Sequence, residues 1–123
     1  MNLRVLSEEG LAVSMMSLIG KYTNRKLRAT LEITSAYDVY GAGIGTFTFR
    51  NRTYGVSVHY NFQDNFGDPT VLQIWAIDTC GYQYLGAAGS TPTKDGSQGI
   101  ELAGGVSTVN STEGFHGLFT KAV

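Results

Sequence analysis

His59 and His116 are the only histidines in the chain and Cys80 is its only cysteine, so proton transfer, nucleophilic attack or metal binding would have to pass through very few positions. A Cys80 thiol becomes a nucleophile only beside a base or with a lowered pKa. His116 could be that base, with Asp78 orienting its imidazole. Nothing in the sequence brings the three together, and Asp78 and Gly81 already have a sufficient role as turn residues. His59 lies on a strand next to Ser57, on the face opposite Val58 and Tyr60, where a solvent-facing or hydrogen-bonded imidazole is the ordinary outcome; a lone histidine without a partner is no catalyst. No group of Cys, His, Asp and Glu has metal-ligand spacing. The chain thus carries no expected catalytic residue, metal site or cofactor.

The stretch YGAGIGTFTF at 40–49 raises a different possibility, because Gly41, Gly43 and Gly45 recur at every second position. A phosphate-cradling loop runs from a strand into a helix whose N-terminal amides face the ligand. Gly45 leads instead into Thr46-Phe47-Thr48-Phe49, which alternates as a strand does, with both phenylalanines on the glycine face. The spacing also misses G-x-G-x-x-G. These glycines are expected to line one face of a strongly bent strand, and no nucleotide is implied.

The surrounding elements read as strands. Tyr54, Val56, Val58, Tyr60 and Phe62 share one face of a period-two run. Lys26 to Thr34 repeats the pattern, with Leu27, Ala29, Leu31 and Ile33 inward and Lys26, Arg28, Thr30 and Glu32 outward. Val71 to Ile77 is apolar at most positions on both faces and is expected to be covered on both sides, by a loop or by a partner, with Trp75 and Ile77 opposite Leu72 and Ile74. An apolar first strand is expected over Leu11 to Ile19. Turns follow at 20–24, 50–53, 64–69 and 78–81. Tyr82 to Gly86 supplies a hairpin partner, Gly89 to Gly99 a mobile polar loop, and Ile100 to Ala103, Val106 to Val109 and Phe115 to Lys121 the remaining strands. About eight short strands at regular intervals, with no amphipathic helix among them, predict an all-β fold: a single compact antiparallel β-barrel, with a β-sandwich as the alternative.

Composition agrees. A chain of 123 residues buries one sizeable core. Residues 1–10 are taken as an N-terminal extension and 11–123 as the barrel domain. Sixteen glycines, seven tyrosines and six phenylalanines against two prolines suit strands joined by tight turns. With one cysteine no intramolecular disulfide can form, so the hydrophobic core must hold the fold. A net charge of -1 and a pI near 6.0 give no global electrostatic ground for binding nucleic acid. No apolar run approaches the roughly 20 residues of a membrane helix. Glu8 and Glu9 interrupt what would otherwise resemble a secretory signal before the apolar run at 11–20. A secreted protein and a cytoplasmic one both fit.

Binding is the remaining expectation. Lys21, Arg25, Lys26 and Arg28 gather around one hairpin, and Arg50 and Arg52 flank another turn; such a patch meets anionic headgroups or an acidic partner, or blunts an edge strand. Tyr37 and Tyr40 frame the glycine-rich corner, Tyr82 and Tyr84 share a strand face, and Trp75 lies on the outer register of its strand. Aromatic residues of this kind serve partner surfaces or plug the ends of a small barrel. Candidate contacts are therefore Tyr37, Tyr40, Trp75, Tyr82, Tyr84, Lys21 and Arg25. The sequons Asn51-Arg52-Thr53 and Asn110-Ser111-Thr112 mark surface turns.

The order of G41-A-G-I-G-T-F47, Y54-G-V-S-V-H-Y-N-F62, V71-L-Q-I-W-A-I-D78 with G81-Y-Q-Y-L-G86, and G104-G-V-S-T-V109 resembles the Vap family of secreted bacterial virulence-associated proteins, small eight-stranded antiparallel barrels. The loop from Gly89 to Gly99 and the ending S111-T-E-G-F-H-G117 depart from that pattern. The resemblance implies a non-enzymatic, host-interacting or membrane-directed protein with a filled barrel, and it transfers no site residue. Two functions follow as expectations. One is a barrel that binds a protein, glycan or lipid through its surface, alone or as an oligomer. The other is a carrier, or an isomerase or cyclase, that shapes a small apolar ligand in its lumen. Inward side-chain size separates them: Leu31, Ile33, Phe47, Phe49, Tyr54, Tyr60 and Phe62 are large enough to fill a narrow lumen.

Overall fold

The structure is a computed structural model and describes residues 18–37, 39–61, 70–78, 83–93 and 95–122. Eight strands follow one another: β1 (Gly20–Asn24), β2 (Ala29–Tyr37), β3 (Ala42–Phe49), β4 (Arg52–Tyr60), β5 (Thr70–Asp78), β6 (Gln83–Thr91), β7 (Ile100–Ser107) and β8 (Thr112–Lys121). Each is hydrogen-bonded antiparallel to its neighbours in sequence, and β8 returns to β1, so the sheet closes as an up-and-down barrel. The expected all-β antiparallel barrel is what the chain forms. Closure gives every strand two neighbours, though β4 and β5 align only from Ser57 to Tyr60 and part at the Arg52 end.

The ladders are unequal. β5 and β6 align over nine residue pairs, whereas β1 and β8 align over two, Tyr22 with Lys121 and Thr23 with Thr120. One further bond, from the Ala122 amide to the Lys21 carbonyl at 2.8 Å, extends this seam.

Alternation sorts the side chains. Leu31, Ile33, Phe47, Val58, Leu72, Ile74, Leu102 and Phe119 point inward and are buried, and with their neighbours on all eight strands they make one core. On β2 the outward positions are Thr30, Glu32 and Thr34, the reverse of a lipid-facing strand, whose outer face is the apolar one. Four aromatic rings stack through the middle of the barrel. Phe47 lies 5.2 Å from Phe115, 6.0 Å from Phe119 and 6.3 Å from Phe49, centroid to centroid.

Gly43 and Gly45 do what the sequence expects of them. A Cβ on either would overlap a carbonyl oxygen of β2, that of Ser35 or of Glu32, well inside the 3.0 Å that Cβ atoms do not breach. The register between β2 and β3 also slips between Ile33 and Ser35. Bulge and glycines together coil this corner of the wall tightly.

Four expectations are corrected. Gly20 to Asn24 is not a turn but β1, with Tyr22 inward; the turn comes at 25–28. No described loop of the chain covers the outer face of β5, where Val71, Trp75 and Ile77 are exposed. Ile100–Ser107 is one strand, because Gly104 and Gly105 carry the ladder through without a break. The polar loop after Thr91 is tied down by its own side chains. Thr91 Oγ1 donates to the Thr93 carbonyl at 2.9 Å, and Asp95 Oδ1 accepts from Thr93 Oγ1 at 2.8 Å and from the Ser97 amide at 3.0 Å. The proposed extension at 1–10, most of the run from Leu11 to Ile19, and Phe62 lie outside the described residues.

This loop closes one end of the barrel. Lys121 Nζ donates to the Asp95 carbonyl and stands 5.5 Å from the centre of the Tyr22 ring; Tyr22 donates its hydroxyl proton to the Leu18 carbonyl at 2.7 Å. Burial pushes the Tyr22 hydroxyl well above the ordinary tyrosine range. Burial also works against the Asp95 charge, but the Ser97 amide, the Thr93 and Ser97 hydroxyls and the Lys121 charge outweigh it and hold the carboxyl below its usual value. A lowered carboxyl pKa stabilises the fold above the unfolded-state value and loses that contribution as pH falls through the folded one. Thermal unfolding followed from neutral pH down to about pH 3 should show the wild-type midpoint dropping below about pH 4, with a flatter profile for Asp95→Asn. At neutral pH that variant should be about 1 kcal/mol less stable. Parallel profiles would mean that Asp95 does not hold the loop by its charge.

Candidate functional site

An up-and-down barrel sends alternate turns to opposite ends, so topology decides which turns meet. The turns β1–β2, β3–β4 and β7–β8 form one rim, called the upper rim. The turn β2–β3, the loop after Thr91 and the two ends of the strand array form the lower one.

That division splits the candidate contacts. Arg25 lies on the upper rim, in the β1–β2 turn. Tyr37 and Tyr40 lie on the lower one, where the Tyr40 amide bonds the Tyr37 carbonyl at 3.0 Å and Tyr40 is 81% exposed. Nine residues of β2 separate the two turns, roughly 30 Å of strand. Lys21 is exposed on the outer wall of β1, opposite Glu32 in register. Tyr82 lies outside the described residues, as does Cys80. His116 is exposed, with its Nε2 4.0 Å from Glu101 Oε1.

Trp75 and Tyr84 are brought together on the outer wall. Register places Ile44 and Trp75 either side of Ser57, and Ile77 directly across from Tyr84. Trp75 is 37% exposed, Ile77 63% and Tyr84 54%. The His59 ring leans on Trp75 with centroids 4.6 Å apart and planes at 51°, so this histidine serves as a prop for the indole. The neighbouring outward positions on β6 and β7 are Gly86, Ala88, Ala103 and Gly105, which leave the wall beside the indole low and smooth. Large apolar side chains in contiguous exposed positions are the ordinary mark of a surface that meets something.

The upper rim carries the second feature. The Arg50 amide donates to the Arg28 carbonyl at 3.1 Å, which fastens the β3–β4 turn to the β1–β2 turn and brings two separate basic runs of the sequence side by side. Arg50 and Asn51 have φ of 50° and 75°, the left-handed pair that a two-residue hairpin of the primed type requires. This geometry turns the Arg50 side chain across the rim to Glu113, while its guanidinium sits 5.0 Å from the centre of the Phe49 ring. Arg52 Nη1 donates to Gln83 Oε1 at 3.0 Å, and the Tyr54 hydroxyl donates to the same oxygen at 3.1 Å. Two clefts adjoin there. One of about 360 Å³ lies between the β3–β4 and β7–β8 turns, over Phe49 and Tyr54. The other, of about 580 Å³, continues past Arg52 toward Ile77 and Gln83. Both sequon asparagines, Asn51 and Asn110, are exposed on this rim.

Fold and surface define the class: an up-and-down β-barrel of eight strands with an aromatic core and two outward-facing features. No protein-family model matches the chain, and neither any curated protein nor any solved structure does.

The sequence shows Arg25 and Arg28 at one turn and Arg50 and Arg52 at another without showing that the two turns adjoin, and it does not mark Ile44, Ile77, Gln83 or Glu113 as contacts. Register supplies what was lacking. A turn residue's neighbours in the next hairpin become countable only once the strands are known to follow one another around a closed ring.

Proposed function

We propose that this protein is a non-enzymatic binding protein that acts through its outer surface, in a host-directed setting of the kind the Vap resemblance implies. The observation that carries it is the contrast between inside and outside. Phe47, Phe119 and Tyr22 have no solvent-exposed surface and fill the middle of the barrel, while Trp75, Ile77 and Tyr84 stand on the wall. A carrier, or an isomerase that shapes an apolar substrate, needs that space empty. Large apolar side chains on a wall that does not need them for packing are instead consistent with partner contact.

Titration of the folded protein with a fluorescent fatty acid tests this. No saturable, competable signal is expected. Ile77→Ser and Tyr84→Ser should leave the unfolding free energy within about 0.5 kcal/mol, because neither side chain supports the core. Saturable binding that apolar competitors displace would replace the surface reading with the carrier one.

A further inference from the structure

The upper rim concentrates charge that the chain as a whole lacks. Of nine lysines and arginines, against a net charge of -1, Arg25, Lys26 and Arg28 lie in the β1–β2 turn, Arg50 in the β3–β4 turn and Arg52 at the start of β4. Glu113 answers Arg50, and Asp78 ends β5 on the same side. Among the side chains the structure describes, no carboxylate pairs with Arg25, Lys26, Arg28 or Arg52. Among the described residues, Asp95 and Glu101 lie toward the other end, with Lys121 beside Asp95.

Arg50 and Arg52 line a trough on this rim, and the β1–β2 turn that carries Arg28 is fastened beside it through the Arg50 amide. The two clefts share Arg52 and Tyr54 and run as one channel across the barrel end. Its walls carry hydroxyl and amide groups from Thr108, Asn110, Ser111 and Gln83, and its floor is Phe49 and Tyr54. We propose that this trough is a binding site for an anionic polysaccharide, a chain of uronate or sulfated sugars. The proposal rests on the surface-binding function above and names its ligand.

Three features select this ligand class. Arginine pairs carboxylate and sulfate in a bidentate fork. Asparagine, glutamine and serine side chains match the neighbouring hydroxyls of a pyranose ring. Depth favours a thin chain, because a flat bilayer would reach only the tips of the turns. β4 from Arg52 to Val56 and β5 beyond Trp75 have no ladder between them, so an added peptide strand is the competing occupant, and the test includes a peptide. Single-stranded nucleic acid stacks on exposed aromatic platforms, whereas Phe49 and Tyr54 lie sunk in the floor.

The full chain is titrated with a fluorescent heparin hexasaccharide at about 50 mM salt and again at about 200 mM. Saturable binding that weakens at the higher salt is expected. Arg28→Gln with Arg52→Gln should weaken it about tenfold or more. Lys21→Gln, which removes a cation from the outer wall, should leave it unchanged, and uncharged dextran should not compete. Unfolding midpoints of all variants establish that they are folded. Equal losses for Lys21→Gln and the double variant overturn the site, as does an affinity that exceeds the hexasaccharide's for phosphatidylserine vesicles, a polyaspartate peptide or a single-stranded oligonucleotide. Absence of hexasaccharide binding by a sample that also excludes the fatty acid overturns the polysaccharide site and leaves the surface function standing. A sample that takes up the fatty acid overturns the surface function itself.

Discussion

Gly45→Val should destabilise the barrel by about 3 kcal/mol or more, while Gly55→Val, ten residues away on the next strand, should be neutral or slightly stabilising. Strand propensity alone predicts a gain at both positions, of at most about 1 kcal/mol, because valine suits a pleated wall better than glycine does. Space decides otherwise at Gly45. Its missing Cβ would fall on the Glu32 carbonyl oxygen and against the Ile33 backbone, and neither can move without breaking the tightly coiled β2–β3 ladder. At Gly55 no atom lies within 4 Å of a built Cβ. Urea unfolding of the two variants separates the causes. Equal midpoints would show that β3 bends for some reason other than close backbone approach.

Phe47→Ala should cost about 3 to 5 kcal/mol, the range for removing a buried phenylalanine that its neighbours cannot replace. Phe47 touches the rings of Phe49, Phe115 and Phe119, which come from two different strands. Each is anchored by a paired backbone, so the wall is poorly able to collapse into the space. Marginal stabilities run near 5 to 15 kcal/mol, so the variant should remain folded in the cold and melt well below the wild type. The hole left would be apolar and dry, and it should take up benzene, which the parent should not. Thermal unfolding with and without benzene reads both effects. A loss under about 1 kcal/mol would mean that the aromatic stack is not the centre of the core.

Much of this architecture was legible in the chain. β2, β3 and β4 announce themselves by alternation, and the glycines at 43 and 45 point to the bend they make. β1 was not legible, because its five residues send one large side chain, Tyr22, inward and are bounded by Gly20 and Asn24, which read as turn residues. The loop after Thr91 looked mobile because its composition is polar. Threonine, serine and aspartate there satisfy their own backbone, which is why composition misleads. β5 looked covered on both sides because apolar content does not reveal whether a wall meets solvent or a partner. The upper rim was the least legible feature. Arg28 and Arg50 are more than twenty positions apart in sequence and become neighbours only through the bond between their hairpins.

The narrow seam between β1 and β8 sets the order in which the molecule assembles. Seven ladders join strands that follow one another in the chain, so each can form by local search. Closure alone asks distant residues to meet: Thr120 Oγ1 reaches the Thr23 carbonyl across 97 positions. Loop-closure entropy makes that the step with the greatest chain-ordering cost, and only two residue pairs with a few side-chain bonds reward it. The topology therefore predicts a ribbon of hairpins that is zipped shut at the end and opens first along the same line, which hydrogen exchange at Tyr22 and Thr23 faster than at β6 and β7 would show. Tyr22 stands in the zip, so the moment the seam parts is also the moment the aromatic core is first wetted.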